Sequence, residues 1–181
     1  MKLIKLLVLA FCCPFTALCQ DITGLWTGTL YNDSTQQFHQ YEVGISKENG
    51  KYTGFSHTWF MIGNKKFFGV KKLKVRIAND GKIIMEDEEL MLNNYPVQPN
   101  KNIRQLNILD IAKNGDQLLL SGEFVTNRTK QFLPLTGKVA LTKNSAVSQS
   151  DLVPHLQNIS KSQDWTYISA SAGALVKNEK K

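Results

Sequence analysis

Beyond residue 19 the chain has no cysteine, because Cys12, Cys13 and Cys19 are the three it contains. Disulfides are thereby excluded from the rest of the protein, and a hydrophobic core has to hold it unaided. The same absence removes a cysteine nucleophile, and no Gly-x-Ser-x-Gly elbow supplies a serine one. Gly54-Phe55-Ser56-His57 has suggestive letters, but a strand sends Ser56 and His57 to opposite faces. A glycine-rich phosphate loop is missing too. No apolar run nears the ~18 residues that a membrane-crossing helix requires. Of the three histidines, His39 is expected inside, His57 outside and His155 in the tail, so no zinc set is expected. No cofactor is implied. Long amphipathic helical patterns and internal repeats are also lacking.

What the chain does have begins with a leader. Lys2 and Lys5 precede the apolar run 6–11, and Ala17-Leu18-Cys19 carries small residues at the two positions a signal peptidase reads. Residues 1–19 are expected to be a signal peptide, cleaved before Gln20, with a secreted or periplasmic destination. Leu18 occupies the place where a lipoprotein signal carries Gly, Ala or Ser, which argues against lipid anchoring at Cys19. Cleavage leaves 162 residues, enough for one domain, with 20 basic and 15 acidic side chains. The charges are mostly interleaved and no basic platform with aromatics stands out, so nucleic acid is not an expected partner.

The stretch Asp21 to Tyr31 alternates, with Ile22, Gly24, Trp26, Gly28 and Leu30 on one face. A period of two marks a half-buried strand. Seven similar segments follow, giving approximate strands at 22–31, 37–47, 51–61, 66–78, 82–90, 103–113, 116–126 and 135–143. Asn49-Gly50, Asp80-Gly81 and Asn114-Gly115 mark hairpins, since these dipeptides tolerate the positive φ of tight turns. The predicted fold is all-β: an eight-stranded antiparallel up-and-down barrel over 20–143. A polar tail occupies 144–181, with a short helix at 150–158 that Ser150 caps and Pro154 weakens. Trp165, Tyr167 and Ile168 are expected to pack back onto the barrel.

Turn geometry predicts registers. Asn49-Gly50 sets Ile45 against Gly54, Val43 against Ser56, Tyr41 against Thr58 and His39 against Phe60, all inward. Outward, Glu42 meets His57 and Gln40 meets Trp59. Asn114-Gly115 sets Ile111 against Leu118, Leu109 against Leu120 and Asn107 against Gly122. For the Asp80-Gly81 hairpin two registers stay open. A two-residue loop pairs Lys74 with Asp87 and sends Glu86 and Glu88 inward; a three-residue loop pairs Lys74 with Glu86 and sends Asp87 and Glu89 inward. Either way two carboxylates face the interior. The loop from Asn93 to Asn102, with Pro96 and Pro99, is long enough to cover one barrel end.

Gly24-Leu25-Trp26 at the start of the first strand resembles the Gly-x-Trp signature of the lipocalin-like, calycin-type barrels, over about Ile22 to Lys143. The resemblance implies that Trp26 closes one barrel end beneath a basic side chain, here Lys143, and that the chain is similar to small secreted bacterial proteins of this kind.

The leading expectation is a non-catalytic carrier or sensor that binds a small, largely apolar molecule inside the barrel. Tyr41, Val43, Tyr52, Ser56, Thr58, Phe60, Leu109, Leu120 and Phe124 would line it. Tyr41, Tyr52, Ser56, Thr58 and Asn107 would orient the ligand, and small residues such as Gly54, Ser56 and Gly122 favour an open cavity. The rival is a solid barrel acting as an envelope interaction module through exposed Phe55, Trp59 and the basic strand. A third is a barrel enzyme using the inward carboxylates.

Overall fold

The computed structural model describes residues 21–99, 102–144 and 150–159. Eight antiparallel strands form a closed barrel in sequence order: β1 (Gly24–Asn32), β2 (Gln37–Glu48), β3 (Lys51–Ile62), β4 (Lys65–Ile77), β5 (Ile83–Asn93), β6 (Gln105–Asn114), β7 (Gln117–Thr126) and β8 (Thr136–Asn144). Closure comes from β1 pairing with β8, Trp26 beside Lys143. One helix, α1 (Leu152–Asn158), follows. Residues 1–19, the expected signal peptide, and Trp165, Tyr167 and Ile168 lie outside the described residues.

The β2–β3 register is the predicted one, Ile45 against Gly54 and Tyr41 against Thr58. In the β4–β5 and β6–β7 hairpins the turn decides. Between β4 and β5 the loop is the three-residue Asn79-Asp80-Gly81, with Ala78 N–H donating to Lys82 O (2.8 Å) and Gly81 at φ +86°. Lys74 accordingly faces Glu86, and an irregularity between Lys72 and Leu73 then shifts the ladder. That shift corrects one expectation: Asp87 turns inward and is buried, whereas Glu89 is exposed. Two inward carboxylates become one.

The β6–β7 register differs from the prediction by two residues. Asn114 stays in the ladder opposite Gln117, leaving Gly115-Asp116 as the loop, so Ile111 meets Leu120 and Leu109 meets Gly122. A shift of two preserves which face each side chain takes.

The interior is filled from the β1 start upward. Trp26, Val43, Ile45, Leu73, Ile83, Met85, Leu109 and Leu120 are all at most 1% exposed and form one cluster with Ile22, Phe124, Val139 and Leu141. An eight-stranded barrel is about wide enough for its own side chains to fill it. The interior glycines do not open a cavity as expected. A Cβ on Gly54 would lie 2.7 Å from Gly44 O, and one on Gly122 would lie 2.2 Å from Ile108 O, so both spend their missing side chain on backbone approach.

A second cluster lies outside the barrel wall. Leu25, Phe55 and Val70 point outward and are covered by Leu152 and Leu156 of α1. Phe55 is therefore 2% exposed instead of a surface contact, and Trp59 is half-buried with Lys66 Nζ 4.2 Å from its ring centroid. Pro154 does not weaken α1, because it sits in the first turn, where N–H groups lack helical partners anyway. Asp151 occupies the N-cap position without a side-chain cap. Glu42 of β2 takes Leu152 N–H (2.8 Å) and the Ser150 hydroxyl (2.9 Å), and Ser150 Oγ, the expected cap, shares the Leu152 N–H at 3.2 Å.

Candidate functional site

The sealed end is built by β1 and β8. Trp26 donates its indole N–H to Ile22 O at 2.9 Å, and Lys143 Nζ stands 5.7 Å from the Trp26 ring centroid while donating to Asp21 O. Gly24, at φ +116°, makes the bend before the indole. Tyr52 belongs to this end too, half-buried against the core, with Lys47 Nζ 4.8 Å from its ring centroid. It is remote in the strand from the other expected polar groups.

At the opposite end the inward positions turn polar. Tyr41 on β2, Ser56 and Thr58 on β3, Lys71 on β4, Asp87 on β5 and Gln105 and Asn107 on β6 share the interior face. Asp87 Oδ2 accepts from Lys71 Nζ at 2.5 Å and from Gln105 N–H at 2.9 Å. The Lys71 and Asp87 side chains are only 26% and 6% exposed. Asn107 donates to Met85 O and accepts from Gln105 Nε2.

Two polar atoms in this region are buried with no hydrogen-bond partner among the described residues: the Tyr41 hydroxyl and His39 Nδ1. They lie on one face of β2, two residues apart. Burial, and secondarily the charge of Asp87, pushes the Tyr41 phenol well up, so it stays protonated. Ser56 and Asn107 are near enough to hold that rise back, without either completing a hydrogen bond of normal geometry. Burial pushes the His39 imidazole down, which keeps it neutral. A buried polar group left unpaired costs about 1–3 kcal/mol.

Aromatic rings cover this layer. Phe60 stacks with Tyr95 (5.9 Å, 25°), packs on Phe67 (6.0 Å) and meets the edge of His39 (5.4 Å). Tyr95 comes from the segment after β5; its hydroxyl lies against Gly69, where a Cβ would be 2.2 Å away. Asn94 holds that segment to β4 by accepting Phe68 N–H and donating to Lys66 O. The loop expected over one end thus contributes at least one ring to it.

Set beside protein-family models, curated proteins and solved structures, the chain matches none of them. What the site can do follows from its own geometry.

Among the expected lining residues, Tyr41, Ser56, Thr58, Phe60 and Asn107 gather at the polar end. Val43, Leu109, Leu120 and Phe124 lie in the packed core, and Tyr52 is at the sealed end. Sequence reasoning missed Lys71, Asp87 as the single inward carboxylate, and Tyr95. The signal for Lys71 was the alternation Val75, Leu73, Lys71, which carries it inward. His57 does face outward, but α1 buries it completely, with the His155 ring 5.1 Å away and Glu42 Oε2 at 3.8 Å. Among the described residues no three His, Cys, Asp or Glu side chains group as a metal site would need.

Between β5 and β6 the wall is thin. Their ladder holds four residue pairs, Ile83 with Leu109 to Glu86 with Leu106. Above it a cleft of about 680 Å³ is lined by Lys71, Asp87, Glu88, Glu89, Leu90 and Arg104 among others.

Proposed function

We propose that the protein is a non-catalytic carrier or sensor, exported by its first 19 residues, that holds a small molecule at the polar end of a lipocalin-like barrel. The observation that carries this reading is the Tyr41 hydroxyl, 2% exposed and unpaired beside Asn107 and the Lys71–Asp87 pair. A fold that only needed to pack would place phenylalanine there, since an unpaired hydroxyl weakens it. The ligand's apolar body would lie against Phe60, Phe67 and Tyr95, and its polar group would reach the Tyr41 layer. The Gly24-Leu25-Trp26 stretch beneath Lys143 supports the lipocalin-like assignment.

The test is native mass spectrometry of the protein taken from its own host without refolding. Retention of a small molecule by the wild type, and its loss in Tyr41→Phe, is the expected result. A wild type free of any adduct in every preparation would overturn the reading. The solid lower core favours the rival, an interaction module, whose contact would now have to use exposed side chains such as Phe132 and Leu133.

A further inference from the structure

The Lys71–Asp87 pair is asymmetric, and the asymmetry bears on the chemistry of the ligand. Asp87 is anchored: its carboxylate takes the N–H of Gln105, the first residue of β6, and so bridges β5 to β6 where backbone pairing has stopped. Lys71 is the more exposed partner and sits on a flexible stem, so its ammonium leaves for water far more easily than Asp87 can leave β6. Asp87 cannot stay unpaired, because a buried carboxylate without a counter-charge is strongly unfavourable.

The surroundings select the same sign. The cleft that reaches this pair is lined by three carboxylates, Asp87, Glu88 and Glu89, against two cations, Lys71 and Arg104. Arg104 already faces Glu86 (3.9 Å), and Glu88 faces both Lys72 (3.2 Å) and Lys74 (3.8 Å), so the uncompensated charge of the cleft lining is that of Glu89. Two buried atoms, Tyr41 Oη and His39 Nδ1, have no hydrogen-bond partner among the described residues, and a phenol oxygen can accept from an ammonium N–H while its own O–H donates elsewhere. The Tyr41 and Tyr95 phenols both lie close enough to Asp87 for its charge to oppose their ionisation. Aromatic faces beside a carboxylate suit a cation.

We propose that the site takes a small organic ammonium ion, whose –NH3⁺ replaces that of Lys71 on Asp87 and reaches the site through the β5–β6 cleft. Lys71 is then a resident stand-in that keeps Asp87 neutralised when the ligand is absent. This rests on the carrier reading above and narrows its ligand to one charge class.

The experiment uses three probes of equal length, hexylammonium, hexanoate and 1-hexanol, with the full mature chain. Isothermal titration calorimetry is run on wild type, Lys71→Met and Asp87→Asn. Removing the competing side chain should raise hexylammonium affinity about tenfold or more, since the occupied fraction of Asp87 no longer taxes binding. Asp87→Asn should lose hexylammonium binding, and the other two probes should not respond to Lys71→Met. Should Lys71→Met fold poorly, the milder Lys71→Gln is melted with each probe. Hexylammonium alone should then raise its Tm, by more than it raises the Tm of wild type. Hexanoate binding that depends on Lys71, or no gain of hexylammonium by either variant, overturns the proposal. A retained adduct in native mass spectrometry alongside that failure would leave the carrier reading intact and remove only the ammonium class.

Discussion

Glu42 and Leu152 are 110 positions apart, yet the carboxylate of the first accepts the backbone N–H of the second at 2.8 Å. A strand side chain thereby caps a seven-residue helix too short to persist by propensity alone. Burial would raise the Glu42 carboxyl, but His57, the Leu152 amide and the Ser150 hydroxyl together outweigh it and hold the group below its ordinary value. Glu42→Ala should cost about 1–2 kcal/mol in urea unfolding, in the range for a lost cap. Amide exchange should accelerate at 152–159 and not at Trp26. Unchanged exchange in α1 would refute the capping role.

Acid should weaken the fold before the carboxylates titrate. His39 is lowered by burial, and His155 by burial and then by the nearby His57. A histidine with a lowered folded value binds its proton less readily than the unfolded chain does. Stability is therefore complete above the ordinary value of 6.5 and falls as pH drops below it. Glu42 and Asp151, both lowered, add a second loss at pH values below 4.5. Urea midpoints between pH 8 and 5 should show the first decline, and His155→Phe, which keeps a ring on Phe68, should flatten it. A wild-type curve level down to pH 5 would contradict this.

Trp26 closes its end with both bulk and one hydrogen bond. Trp26→Ala should cost about 3–5 kcal/mol, the range for large core truncations. Lys143→Met, which keeps the stem over the indole, should cost under about 1 kcal/mol. Equilibrium urea titration followed by circular dichroism distinguishes the two, and a Lys143→Met loss as large as that of Trp26→Ala would contradict the leading part given to the indole.

Tyr41→Phe separates function from stability. Deleting a buried unpaired hydroxyl should leave stability unchanged or raise it by about 1 kcal/mol. A loss above about 1 kcal/mol in thermal unfolding would mean that the hydroxyl is satisfied in the folded protein.

Much of this architecture was legible because its determinants are local. Asn49-Gly50 fixes the β2–β3 register through turn geometry, and the alternation around Trp26 fixes which face is inside. Elsewhere the determinants are remote. Gly115-Asp116, not Asn114-Gly115, became the loop because Asn114 stays paired with Gln117. The bulge at Lys72, which turns Glu89 out and leaves Asp87 in, has no local signature. Phe55 and His57 alternate outward as read, but their burial depends on α1, some 95 residues later, folding over them. Lys71 could have been found by extending one alternation; its partnership with Asp87 could not, because it needs the shifted ladder.

The chain enters β1 at the Trp26 end, with Asp21 held by Lys143 beside it. A protein held at Asp21, whether on a sensor chip or on a bead, would stand on its sealed base. Tyr95 and the polar layer would then face the solution, unobstructed by the support.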